Sequence, residues 1–333
     1  MALYAYVIYQ DEKPYLRITV AAVISVAFLL LACTNFGINL STMSDEQRLA
    51  RVWITNGVAL VMLYLAALIM QSDFKVRHTL ELELSKVLLK NELKLYFQPQ
   101  VEVGGRIMGA EVLTRWRHPS LGIIAPEVFI PLAERTDLIL HLGRHVLTSA
   151  CNQLATWAQS EATAHLTLSV NISVKQFQNP EFVQHLITLI NETKIDAHKL
   201  QLEITESIFA HDLEDIMIKM RQLKAHGVRL SLDDFGTGYS SLAYVKSLPL
   251  DELKIDKSFI KDMLNSVSAA TITKMIISLA HELNIAIVAE GVETTEQRQF
   301  LIDNGCRNFQ GYLYSTPLPI NEFNAFVLAN GRA

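Results

Sequence analysis

Acidic side chains recur at one kind of place along this 333-residue chain, the end of a short apolar run. Glu111 lies in the run Ile107–Leu113, and Asn171 stands at the end of Leu166–Ile172. Glu203 falls at the end of Leu200–Ile204, with Glu206 just beyond, and Asp233 and Asp234 follow Arg229–Leu232. Lys254 lies in Glu252–Ile255, Glu290 follows Ile285–Val288 with Glu293 three residues on, and Gln310 lies in Asn308–Tyr312. Carboxylates gathered in one cleft repel one another unless a cation sits among them. Hard oxygen donors without a His or Cys cluster select magnesium or manganese over zinc. The adjacent pair Asp233-Asp234 suits two ions, one carboxylate bridging while its neighbour turns to the second. Two ions about 3.5–4 Å apart suit in-line attack of water on a phosphodiester. Taken singly, each acid reads more simply as a loop residue or helix cap; their shared register argues for a site.

That register needs a scaffold. A further run, Leu93–Phe97, completes a set of strands, and amphipathic stretches lie between most of them, such as Glu181–Thr193, Asp212–His226, Ala269–Leu283 and Thr295–Asn304. Eight strands with intervening helices in about 240 residues match a closed α/β architecture, the (β/α)8 TIM-like barrel, whose C-terminal strand ends converge on one face. An open doubly wound sheet is the runner-up. No glycine-rich fingerprint opens a helix, so a P-loop or Rossmann phosphate site is unsupported.

The composition bounds the rest. Apolar residues make up 50% and charged residues 19% of the chain, which excludes intrinsic disorder. With 29 basic and 34 acidic residues, the net charge of -5 argues against a general binder of long nucleic acid. The cysteines Cys33, Cys151 and Cys306 form no CxxC pair, so neither a disulfide framework nor a zinc site is indicated.

Two uncharged apolar runs, residues 18–36 and 52–70, are each long enough to cross a bilayer as a helix. They predict a transmembrane hairpin, with residues 1–17 as a cytoplasmic segment and 37–51 as a short periplasmic loop. Two buried helices of a soluble protein are the simpler alternative. Basic residues mildly favour both ends inside, which implies a multi-pass protein of a bacterial inner membrane with its catalytic domain in the cytoplasm. Leu30-Leu31-Ala32-Cys33 looks like a lipobox, a side reading in which the first run is a cleaved signal. Residues 71–92 read as a linker helix into a soluble domain spanning 77–333.

Dense motifs fill that domain: YFQPQV (Tyr96–Val101), GAEVLTRWRHP (Gly109–Pro119), FIPLAE (Phe129–Glu134), SVNIS with Gln176, LEITES (Leu202–Ser207), LDDFGTGYSSL (Leu232–Leu242), LKIDKSFI (Leu253–Ile260), AEGVET (Ala289–Thr294) and FQGYLYSTPLP (Phe309–Pro319). In this order they resemble an EAL-domain cyclic di-GMP phosphodiesterase from about Thr79 to Phe326. The resemblance implies a barrel with an antiparallel first strand, and hydrolysis of cyclic di-GMP to linear pGpG. It further implies two ions, Mg2+ or Mn2+, the first held by Glu111, Asn171, Glu203 and Asp233, the second by Asp233, Asp234 and Glu290. Lys254 would sit beside the nucleophilic water as proton acceptor or electrostatic anchor, with Glu293 and Gln310 completing the wall. Gln98, Leu113 and Arg115 would contact the dinucleotide; the planar fork of Arg115 suits a phosphate. Glu206 would brace the loop of Phe235, Gly236, Thr237 and Gly238, which in the family couples the site to a homodimer interface. Valine replaces alanine in Glu111-Val112-Leu113, a packing change on the outward face; Phe97 and Gln100 are small departures near the substrate contacts.

Two other readings of the same residues stay open, a catalytically silent module that binds the dinucleotide or docks a protein, and a metal phosphodiesterase for another dinucleotide or short RNA. Nothing resembles a diguanylate cyclase module. The scattered histidines, His118 among them, Trp116 and the leucine stripe of Leu138–Leu147 read as structural.

Overall fold

The computed structural model describes residues 79–210, 212–236 and 246–330, with scattered positions between 44 and 64. Two compact units emerge: Met1–Lys86 with Arg117–Ile124, and Val87–Trp116 with Ala125–Ala333. In chain order the strands are β1 (Leu93–Glu102), β2 (Ile107–His118), β3 (Gly122–Ile124), β4 (Thr167–Asn171), β5 (Leu200–Thr205), β6 (Arg229–Phe235), β7 (Glu252–Ile255), β8 (Ala286–Ala289), β9 (Asn308–Gln310) and β10 (Leu318–Pro319).

In the larger unit, β1, β2 and β4 to β9 close a ring of eight strands. Strand β1 runs antiparallel to both β2 and β9, and the pairings from β2 through β4 round to β9 are parallel. Closure on both sides of β1 removes the open-sheet alternative. The strands fall where the apolar runs placed them, but β2 runs on to His118 instead of Leu113, β6 to Phe235 instead of Leu232, and β1 continues to Glu102 instead of stopping at Phe97. Pro99 does not break it, because Pro99 falls in a gap on one side: β10 pairs with Tyr96 and Phe97, and β9 with Gln100 to Glu102.

Alternation along each strand separates two environments. Leu168, Val170, Leu202, Ile204, Leu230, Leu232, Leu253 and Ile255 are at most 1% exposed and face the helix layer. Against them pack helices such as Leu213–Ala225, through Ile216, Met220 and Leu223, and Val267–Glu282, through Ile276, Ile277 and Ala280. Each such side chain contributes about 1.5–3 kcal/mol by leaving water. Asp212 starts the first of these helices by accepting from the Glu214 and Asp215 amides. The leucine stripe at Leu138 belongs to a 20-residue helix, Leu138–Trp157.

In the smaller unit, Leu80 and Leu84 are buried on a helical turn that ends in turns at 85 and 86. His118 Nδ1 accepts the Ser120 and Leu121 amides, so its proton sits on Nε2, which donates to Glu83 Oε2 at 2.6 Å. Residues 87–91 of the expected linker helix are turn rather than helix. The first expected membrane span, 18–36, lies outside the described residues, as does the second, 52–70, apart from isolated helical positions. Among the described residues, no helix is long and apolar enough to cross a membrane.

Candidate active site

The inner face of the barrel collects the polar residues of alternate positions. Glu111, Glu203, Asp233 and Lys254 are all buried, and Lys254 is fully so. Its ammonium lies 2.9 Å from Glu203 Oε1, 3.4 Å from Glu111 Oε2 and 3.8 Å from Asp233 Oδ1, and it pairs with Glu290 Oε1. Both oxygens of Glu111 are held by amides: Asn171 Nδ2 donates to Oε1 at 2.6 Å, and Gln310 Nε2 donates to Oε2, the oxygen that also faces Lys254. Gln310 also donates to Gln98 Oε1 at 3.2 Å and accepts from Gln100 Nε2 at 3.2 Å, and Gln98 Nε2 reaches the Ser315 carbonyl. These contacts follow from the register, which sets Gln98 opposite Glu111 and Gln100 opposite Gln310.

Asp233 and Asp234 are neighbours on β6, and neighbours on a regular strand point to opposite faces. The β6–β7 register shifts between Leu232 and Phe235, and Asp234 takes φ 55°, so the alternation breaks at the pair. The Asp234 amide closes onto Asp233 Oδ1 at 2.9 Å. Glu290 is positioned beyond β8 by its own amide, which donates to the Ile255 carbonyl at 3.1 Å. Glu206 Oε1 accepts the Gly236 amide at 2.9 Å, tying the loop after β6 to the end of β5. Phe235 is buried; Thr237 and Gly238 lie outside the described residues. Glu293 is exposed, its backbone amide fixed by the Gln297 side chain at 2.8 Å, and it is not among the carboxylates that touch Lys254. Leu113 and Arg115 lie half-buried further along β2, with Arg115 Nη1 on the Thr114 carbonyl.

The electrostatics follow from burial. Desolvation pushes Glu203 well above the carboxylate range; Lys254 opposes this, and Glu111, Asp233 and Glu290 add to it. Burial likewise raises Asp233, takes Asp234 to about 6, where Asp233 and Asp256 add to the rise, and takes Glu290 to about 8 against the pull of Lys254. For Lys254, burial favours the neutral amine, but Asp233, Glu111, Glu203 and Glu290 together outweigh it and hold the ammonium well above the lysine range.

Both oxygens of Glu203 are buried without a hydrogen bond among the described residues; Oε1 is close to Lys254 but outside bonding alignment. A buried carboxylate so left is costly without a compensating cation. The donors are hard oxygens in excess over one ammonium, which fits divalent magnesium or manganese. Among the described residues, no three His, Cys, Asp or Glu side chains are drawn together as a finished metal cage. The acids are arranged around the Lys254 ammonium instead.

Sequence reasoning passed over Asp256, which acts by charge on Asp233 and Asp234, and the buried trio Gln201, Ser231 and Glu252. The trio had a signal: on β5, β6 and β7 each stands two residues before Glu203, Asp233 or Lys254, and so on the same face.

A closed barrel with one reversed strand and a buried acidic mouth around a lysine defines a class of β/α-barrel proteins suited to hard cations and phosphate esters. Residues 81–317 match the model of the EAL domain, and the chain belongs to the EAL-domain family. It is 41% identical over 246 residues to the bifunctional diguanylate cyclase/cyclic di-GMP phosphodiesterase MucR of Pseudomonas aeruginosa, covering 74% of this chain and 36% of that protein. It is 40% identical over 259 residues to the oxygen sensor protein DosP of Escherichia coli, covering 78% of this chain and 32% of that protein. The solved PaMucR phosphodiesterase in complex with c-di-GMP superposes with a TM-score of 0.72 at 40% identity, covering 74% of this chain and 99% of that one. The chain thus spans about a third of the length of these curated relatives.

Proposed function

We propose that the protein hydrolyses cyclic di-GMP to linear pGpG by a two-cation mechanism. The observation that carries this reading is the buried acidic ring, in which one ammonium faces four carboxylates and the Glu203 oxygens accept no hydrogen bond among the described residues, on the scaffold of a family that includes MucR. Glu111, Asn171, Glu203 and Asp233 would hold one Mg2+ or Mn2+, and Asp233, Asp234 and Glu290 the other. Such ions, when bound, lower the pKa of water and neutralise charge that develops on the phosphoryl group. The chain's own groups do the rest. Arg115 grips phosphate oxygens through its planar fork, while Gln98, Gln310 and Leu113 orient the dinucleotide. Lys254, at the centre of the carboxylates, would sit beside the attacking water as proton acceptor or electrostatic anchor. Glu293, which is exposed, would complete the wall with Gln310. Glu206 links the Phe235–Gly238 loop to the mouth, a route by which homodimerisation through the barrel domain reaches the site.

The apolar runs at 18–36 and 52–70 support placement at a bacterial inner membrane, with the barrel in the cytoplasm. The test is cyclic di-GMP turnover by the full chain with Mg2+, with Mn2+ and with chelator, with Glu111→Ala beside it. Turnover that needs the divalent ion and falls more than about 100-fold in Glu111→Ala supports the reading. Tight binding of cyclic di-GMP without turnover by the unaltered chain overturns it in favour of a silent binding module. Fractionation tests the membrane placement: recovery of the full chain in the soluble fraction refutes it.

A further inference from the structure

Barrel interiors are normally filled by layers of bulky branched side chains. One layer below the acidic ring this barrel departs from that rule. Two residues before Asn171, Glu203, Asp233 and Lys254 stand Ser169, Gln201, Ser231 and Glu252 on the same inner face. All four are buried, Glu252 the most accessible at 7%. Glu252 Oε1 accepts from Gln201 Nε2 at 2.6 Å and from Ser231 Oγ at 3.2 Å, and Gln201 Nε2 also reaches Ser169 Oγ at 3.2 Å. Burial pushes the Glu252 carboxyl above its ordinary range, while Arg229, Lys254 and the two hydrogen bonds draw it back.

The place of these donors relative to Glu203 gives the layer its meaning. Gln201 lies two residues before Glu203 on β5, and Ser231 is the register partner of Glu203 on β6. In a parallel pair, register partners lie side by side at about 4.8 Å. Both donors therefore neighbour Glu203, yet neither bonds to it; among the described residues its oxygens accept no hydrogen bond, and Oε1 is ion-paired with Lys254 at 2.9 Å. Buried carboxylates with donors at hand are normally satisfied.

We propose that Glu252 is a positioning residue: it engages the Gln201 and Ser231 donors and so keeps the Glu203 carboxylate free to ligate a divalent cation. This rests on the cation reading proposed above. Without the Glu252 acceptor, the Gln201 amide and Ser231 hydroxyl turn toward Glu203, and a cation must displace the hydrogen bonds they form.

Mn2+ binding to the full chain, followed by calorimetric titration and by the Mn2+-induced rise in melting temperature, tests this. Glu252→Leu weakens Mn2+ affinity by on the order of tenfold, the worth of a hydrogen bond to a charged group. Glu252→Gln retains an acceptor oxygen and stays within about threefold of the parent. Glu252→Leu combined with Gln201→Leu and Ser231→Ala removes the competing donors and regains the parent affinity. A purely structural role predicts the opposite for the triple variant, which loses still more of the network. If Glu252→Leu does not fold, the triple variant carries the test: parent-like affinity supports the proposal, tenfold weaker binding overturns it. Unchanged affinity in a folded Glu252→Leu overturns this inference alone, whereas failure of the parent chain to bind Mn2+ overturns the cation reading and this inference with it.

Discussion

Lys254→Met removes the ammonium that touches Glu111, Glu203, Asp233 and Glu290 while keeping much of the stem's volume. Breaking one buried ion pair from one side costs about 3–5 kcal/mol, because the partner is left charged and unsolvated. Four carboxylates share this lysine, but they relieve themselves by taking up protons, and Glu290 already does so at about 8. The net loss is therefore held near the range for a single pair. For a domain of this size each kcal/mol moves the melting temperature by about 2–4 °C, so the variant melts on the order of 10 °C lower at pH 8.5 in chelator. The folded pKa values of Glu203, Asp233 and Glu290 lie above their unfolded ones, so their contribution is lost as pH rises; the deficit is smaller at pH 6 and widens toward 8.5. Adding Mn2+ narrows the gap in stability, since positive charge returns to the ring, but does not restore turnover. Calorimetry or dye-monitored melting of both proteins decides the matter. Equal melting temperatures at pH 8.5 in chelator would refute the claim that this lysine neutralises a buried acidic cluster.

The chelated parent chain should itself lose stability as pH climbs from about 4.5 to about 8, because folded Glu290 keeps a proton that the unfolded chain releases; saturating Mg2+ flattens the slope, and a rise across that window contradicts the assignment. Gly311→Ala should lower stability by about 1–3 kcal/mol and reduce turnover by misplacing Gln310, since a Cβ there would lie 2.2 Å from the Val292 carbonyl oxygen; an unchanged denaturation midpoint would count against it. Calcium, larger and looser in geometry than magnesium, should inhibit hydrolysis while still protecting the chain against thermal unfolding; turnover in calcium equal to that in magnesium would contradict a geometry-limited site.

Much of the scaffold was written in local pattern. Runs such as Glu252–Ile255 and Leu200–Ile204 reappear as β7 and β5 with at most one residue added, because alternating burial on a barrel strand needs only a short apolar stretch between polar punctuation. Strand β1 resisted, since Pro99 looks like a terminus until the gap in its pairing partners is known. Most acids of the mouth were legible because they stand at or near a strand end; Glu111, inside β2, was legible by the motif around it. Their grouping around Lys254, the left-handed backbone at Asp234 and the hydrogen bond of Asn171 to Glu111 were not, because they depend on pairing between residues on different strands, 21 to 143 positions apart, or on a local register shift. Glu252 was hidden for a different reason. Next to Lys254 it reads as ordinary strand polarity, and only burial shows that it has no water to face.

The reversed direction of β1 has a consequence for how the chain is addressed. In an all-parallel barrel, the first strand starts at the floor, away from the chemistry. Here Leu93 pairs with Trp116 at the far end of β2, beyond Glu111, so the polypeptide enters the ring from its reactive rim and passes Gln98 on the way down. A pull or twist applied just upstream of Leu93 is thus delivered within six residues of a proposed nucleotide contact, before any of the barrel's packed layers can absorb it.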